Sequence, residues 1–164
     1  MERNDDDADA GDRPPAPRVR PVDIRDYVEP VRGEATTRRI FATEQLAVDV
    51  WCLEPRTATA PIHLPGRDIT YTVLAGRSWF VTDEGEVGLD PLGAILVPAD
   101  VVHGFENRSP DPLIVLASSA PPGEAPAQPP VEATGQAVQQ RRDASRFRTA
   151  VESLLGASRP DRSG

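Results

Sequence analysis

Residues 61–107 read PIHLPGRDITYTVLAGRSWFVTDEGEVGLDPLGAILVPADVVHGFEN, and this stretch decides the fold. Its first half opens on His63-Leu64-Pro65-Gly66-Arg67-Asp68 and runs through an apolar segment to Gly76. Its second half runs from Gly93 through Pro98, Asp100 and His103 to Asn107. The chain has two histidines, one in each half. Residues 69–75 (ITYTVLA) are rich in β-branched side chains, which suit a pleated, half-buried strand. Gly76-Arg77 turns the chain into 78–82 (SWFVT), and Asp83-Glu84-Gly85 turns it again. Further short strands are expected over 85–89, 94–97, 101–106 and 113–117.

Upstream, 36–42 (TTRRIFA) reads as a strand, and 45–53 (QLAVDVWCL) alternates with Leu46, Val48, Val50 and Cys52 on one face. Residues 21–31 are mixed and suit an edge strand or an irregular wrap. Short strands with turns every 8–12 residues and no intervening helix predict an all-β sandwich or barrel. The ends differ in kind. Residues 1–20 are charged and proline-bearing, as in a disordered tail. Residues 21–119 form the expected domain. Residues 120–136 are a Pro/Ala-rich linker, expected to be semi-extended and without a core. Val138, Arg141, Ala144, Phe147, Val151 and Leu154/Leu155 recur at helical spacing, so 137–156 is predicted as an amphipathic helix closed by Gly156. Residues 157–164 are a second disordered tail.

Composition narrows the function. The chain of 164 residues suits one domain plus tails. A net charge of −8 argues against nucleic acid as a partner. A lone Cys52 excludes an internal disulfide and a cysteine-based zinc site. There is no apolar run of about 20 residues to span a membrane, and the acidic N-terminus lacks the apolar segment of a signal peptide. A cytoplasmic location is expected.

The two halves of 61–107 resemble the two motifs of the cupin superfamily. The second motif is a glycine followed by P-x-G-x-x-H-x-x-x-N. Gly93, Pro98, His103 and Asn107 match it, with Asp100 at the second glycine. The first motif is H-x-H, three or four residues, E, six residues and G. Its end matches at Gly76, but its ligand positions are degenerate. The resemblance implies a small single-domain jelly-roll barrel that pairs as a homodimer.

Two registers are open for the first motif. Aligning Pro65 with the proline that commonly follows H-x-H puts the histidine positions at Ile62 and Leu64 and the glutamate position at Ile69. Strand parity then turns Ile62, Leu64, Ile69, Tyr71 and Val73 inward to join His103 and Phe105 in an apolar pocket, while His63 faces away. In the other register His63 is the first histidine, and His63, Asp68 and His103 form a reduced site for a divalent Fe, Mn, Ni or Zn. Asp68 would then have to break parity with Ile69 through a bulge. A transition metal needs three or four N/O ligands at about 2.0–2.2 Å. The first register, with no metal or other cofactor, is preferred.

The function expected is binding of a small organic molecule in a largely apolar barrel. His103 and Tyr71 would orient it, and they are the candidate catalytic residues. His103 has an intrinsic pKa suited to proton transfer. The alternatives are a metal-dependent oxygenase, isomerase or decarboxylase, a metal-free epimerase or cyclase using His103, and a scaffold whose 137–156 helix docks a protein partner.

Overall fold

Strand propensity and turn chemistry resolve, in the computed structural model, into eight strands, joined by short turns except for the longer 54–67 segment between the second and third. The structure describes residues 18–126, 128, 131–132, 134 and 136–138. The strands are β1 (Ala35–Ala42), β2 (Ala47–Leu53), β3 (Asp68–Ala75), β4 (Ser78–Thr82), β5 (Gly85–Leu89), β6 (Ala94–Val97), β7 (His103–Asn107) and β8 (Leu113–Ala120). They form two antiparallel sheets, ordered β1-β2-β8-β3-β6 and β5-β4-β7. The segment before β3 lies along the free edge of β7. Thr59 N–H donates to Phe105 O at 2.9 Å, and Ile62 and His103 exchange backbone bonds of 2.7 and 3.0 Å. The only helical element among the described residues is a 3-10 turn, Ile24–Tyr27.

Alternation along the strands builds the core between the sheets. Ile69, Tyr71 and Val73 of β3 are buried on one face, against Ser119, Ala117 and Val115 of β8. Phe80 of β4 and Phe105 of β7 sit directly opposite each other across the second sheet. The rings of Tyr71, Phe80 and Phe105 meet with centroids 5.0–5.2 Å apart, and Trp51 closes on Phe105 edge-on at 5.5 Å. Such offset aromatic contacts add to the burial of large apolar surfaces.

The expectation that β2 is half-buried is corrected, since both of its faces are covered. The core between the sheets takes Trp51 and Leu53, not the set of Val48, Val50 and Cys52. Val50 and Cys52 are nonetheless buried, at 2 % and 3 % exposure, and Leu46 is 41 % exposed. Val50 and Cys52 pair with Arg38 and Thr36 of β1. There Glu29 covers the outer face, accepting from Thr36 Oγ1 through its carbonyl and pairing with Arg38 through its carboxylate. A strand buried on both faces shows no alternation that marks the inner one.

Two turns hold unusual backbone. Gly76 has φ +77°, and a Cβ there would lie 2.5 Å from Pro112 O. Asp100, at the second glycine position of the resemblance, has φ +70°. Aspartate is among the few side chains tolerated in that region. Its carboxylate accepts from Gly66 N–H at 3.3 Å, and Asp68 in turn accepts from Ala99 N–H at 2.9 Å. These carboxylates tie the 64–68 and 98–100 turns together.

The stretch read as a linker folds back on the barrel where it is described. After a cis Ala120–Pro121 peptide, Gly123 O and Glu124 O accept from the Arg39 guanidinium at 3.0 and 3.3 Å. The Gln128 amide pairs with the Arg39 backbone at 2.6 and 3.1 Å, continuing the edge of β1 as a strand neighbour would. The tail over residues 1–17, most of the predicted 137–156 helix and the final tail lie outside the described residues. No described helix is long and apolar enough to cross a membrane.

Candidate functional site

A cavity of about 190 Å³ opens at one end of the barrel, between β1, β2, β3, β8 and the 62–67 segment. Strand parity aims Thr37 and Arg39 of β1, Asp49 and Trp51 of β2, and Ser119 of β8 into it. Ile62, Leu64, Ile69 and Tyr71 supply the apolar wall. Arg67 completes the rim, and Glu124 and Pro126 cross above it.

The charged part of the wall is internally matched. Arg39 and Asp49 pair in register, with Nε–Oδ1 of 2.6 Å and Nη2–Oδ2 of 3.1 Å. Their side chains are 12 % and 18 % exposed. A bidentate pair of this kind satisfies both partners, as burial requires. The bond to Asp49 holds the Arg39 guanidinium above its ordinary pKa.

Tyr71 connects the cavity to the core. Its side chain is fully buried, and its hydroxyl lies 2.8 Å from Nε2 of His103. His103 Nδ1 lies 3.0 Å from Val101 O, which can only accept. Nδ1 therefore carries the proton in the neutral ring, Nε2 accepts, and Tyr71 Oη–H donates. Burial, reinforced by the charge of Asp49, pushes the Tyr71 phenol well above its ordinary range, so it stays a neutral donor.

The seven expected pocket residues separate into two groups. Ile62, Leu64, Ile69 and Tyr71 line the cavity. Val73, His103 and Phe105 lie outside its lining, buried at 0 %, 3 % and 2 %. His103 thus reaches the cavity only through Tyr71. The alternative trio is not gathered: His63 is exposed, Asp68 is exposed and bonded to Ala99, and His103 is interior. Arg39, Asp49, Trp51, Arg67 and Ser119 are lining residues that sequence reasoning missed.

No family model matches this chain, and no curated protein matches it. Solved structures do. A protein of Thermus thermophilus is 27 % identical at a TM-score of 0.57, with 60 % of this chain and 94 % of that one covered. An uncharacterized conserved protein with a double-stranded β-helix domain, from Klebsiella pneumoniae, is 26 % identical at 0.60, covering 63 % and 91 %. A cupin superfamily protein of Desulfitobacterium hafniense, 16 % identical, superposes at 0.54 over 63 % and 93 %. This chain has the cupin fold.

The cupin resemblance raises the question of a metal, and the donor set does not fit one. Ile62 and Leu64 are half-buried and pack on the core, and Ile69 is buried. Aliphatic side chains cannot ligate. His103, which matches the histidine of the second motif, has both ring nitrogens engaged. Among the described residues there is no group of three or more His, Cys, Asp or Glu side chains placed to hold a metal ion.

Proposed function

We propose that this cupin-fold protein binds a small organic molecule at the mouth of its barrel and does so without a metal ion. The observation that carries the proposal is the wall of the 190 Å³ cavity, in which Trp51, Ile62, Leu64, Ile69 and Tyr71 surround one neutralised ion pair. Apolar walls with a few fixed polar groups are what small-molecule sites require. The volume lies below the about 300–1,000 Å³ of pockets for drug-sized ligands, so the ligand is smaller than those. Tyr71 presents its ring to the ligand, and His103 holds that ring in place from behind through the 2.8 Å bond.

Trp51 provides the test. The other tryptophan, Trp79, lies on the outer face of its sheet beneath the Arg108 guanidinium, 4.9 Å from the ring centroid. A Trp79→Phe chain therefore reports on the cavity through Trp51 fluorescence alone. Titration with small aliphatic and aromatic metabolites is expected to give saturable changes that survive EDTA. Filling the wall with Leu64→Phe is expected to weaken binding at least about tenfold, the equivalent of about 1.4 kcal/mol. Indifference to Leu64→Phe, or loss in EDTA with recovery on adding a divalent metal, would overturn the proposal.

A further inference from the structure

Arg67 stands out among the groups facing the cavity. It follows the Pro65-Gly66 turn, where Gly66 has φ +64°. That turn is pinned by Gly66 N–H to Asp100 and by Arg67 N–H to Leu64 O at 3.3 Å. The Arg67 side chain lines the cavity, and its Nε is fully buried without a hydrogen-bond partner among the described residues. No carboxylate among them lies within ion-pair distance of its guanidinium. Asp49 is taken by Arg39, Asp68 by Ala99 N–H and Asp100 by Gly66 N–H. Gly123 of the returning chain leaves the space that the guanidinium fills, because a Cβ there would meet Nη1 at 1.9 Å. A cation is thus held at the rim of a partly apolar cavity with a buried donor unsatisfied, an arrangement that costs stability.

We propose that Arg67 makes this cavity a site for a small monocarboxylate, whose carboxylate takes the guanidinium and whose apolar body lies against Trp51, Leu64 and Ile62. The proposal rests on the cavity being a small-molecule site and names the chemistry of its ligand. A planar carboxylate matches the guanidinium fork, which lines the cavity. One free cation calls for one negative charge. Arg39 is already neutralised by Asp49, and Glu124 lines the same rim, so a phosphate dianion would meet uncompensated repulsion. Trp51, Ile62 and Leu64 favour an apolar body on the part of the ligand that lies against them.

The experiment compares benzoate, phenylacetate and hexanoate with benzamide, phenylacetamide and hexanamide, at matched ionic strength, on the full chain carrying Trp79→Phe. At least one acid is expected to saturate the Trp51 signal and to bind about tenfold or more tightly than its amide. Arg67→Gln is expected to abolish that preference while leaving amide affinity within about twofold, and to leave the melting temperature of the ligand-free chain unchanged or raised. Acids and amides binding alike to the Arg67 protein would overturn the carboxylate site and leave the small-molecule cavity standing. An Arg67→Gln chain that folds and keeps the preference would do the same. No saturable signal from any of the six at about 10 mM, an affinity worth under about 3 kcal/mol, would overturn both.

Discussion

Phe105→Ala is expected to lower the unfolding free energy by about 3–5 kcal/mol. Phe105 is 2 % exposed at the meeting point of both sheets. It packs on Phe80 within its own sheet at 5.0 Å and on Tyr71 and Trp51 of the opposite sheet at 5.2 and 5.5 Å. Truncation removes the transfer energy of a whole ring and leaves a void that three large rings cannot all collapse into. A domain of this size has a stability of about 5–15 kcal/mol, so the variant is expected to lose a large share of it. Urea unfolding measures the effect, and a loss below about 1 kcal/mol would mean that the sheets are not joined through this ring.

Gly76→Ala is expected to be comparably damaging for a different reason. A left-handed backbone alone costs a non-glycine residue about 1–2 kcal/mol. At Gly76 the added Cβ also meets Pro112 O at 2.5 Å and Leu113 Cα at 2.9 Å. Neither atom can retreat easily, because Leu113 is fully buried and opens β8 in register with Leu53. Asn107 fastens the same corner, donating to Leu53 O and Asp111 O at 3.1 and 2.7 Å. Gly66 is the control, with φ +64° and open space around its missing Cβ. Gly66→Ala should show only the conformational cost, and Gly76→Ala should lose at least about 2 kcal/mol more in the same denaturation assay. Equal losses would remove the steric part of the explanation.

Much of the barrel was legible because its strands have one clear inner face. Ile69-x-Tyr71-x-Val73 alternates cleanly, and parity from it placed Ile62 and Leu64 against the core and His63 outside. Gly76, Gly93 and Asn107 sit where close backbone approach and a turn require them. β2 was read as half-buried, but the chain before β1 covers its outer side, so apolar residues are buried on both faces.

The polar half of the cavity was hidden by a bulge. Ala42 and Phe41 pair with Ala47 and Val48, and that register, continued unchanged, would set Arg39 opposite Val50. The shift at Ile40 sets it opposite Asp49 instead, and so creates the ion pair. No local signal in TTRRIFA marks that bulge. Arg67 and Ser119 enter the cavity from a turn and from the end of a strand longer than expected, so their approach depends on tertiary geometry. The return of residues 121–126 and 128 is equally unmarked. A Pro/Ala-rich composition excludes a core of its own, but it leaves Gly123 O and Glu124 O free to accept from the Arg39 side chain, while the Gln128 side chain bonds the Arg39 backbone.

The central claim is a cupin barrel that binds its ligand without a metal. Isothermal titration of the chelator-treated full chain with Fe²⁺, Mn²⁺, Ni²⁺ and Zn²⁺ in turn tests it most directly. The expected result is no saturable one-equivalent site for any of the four, with weak, non-saturating heats shared by His103→Ala. A stoichiometric site for any of them, lost in His103→Ala, would contradict the claim.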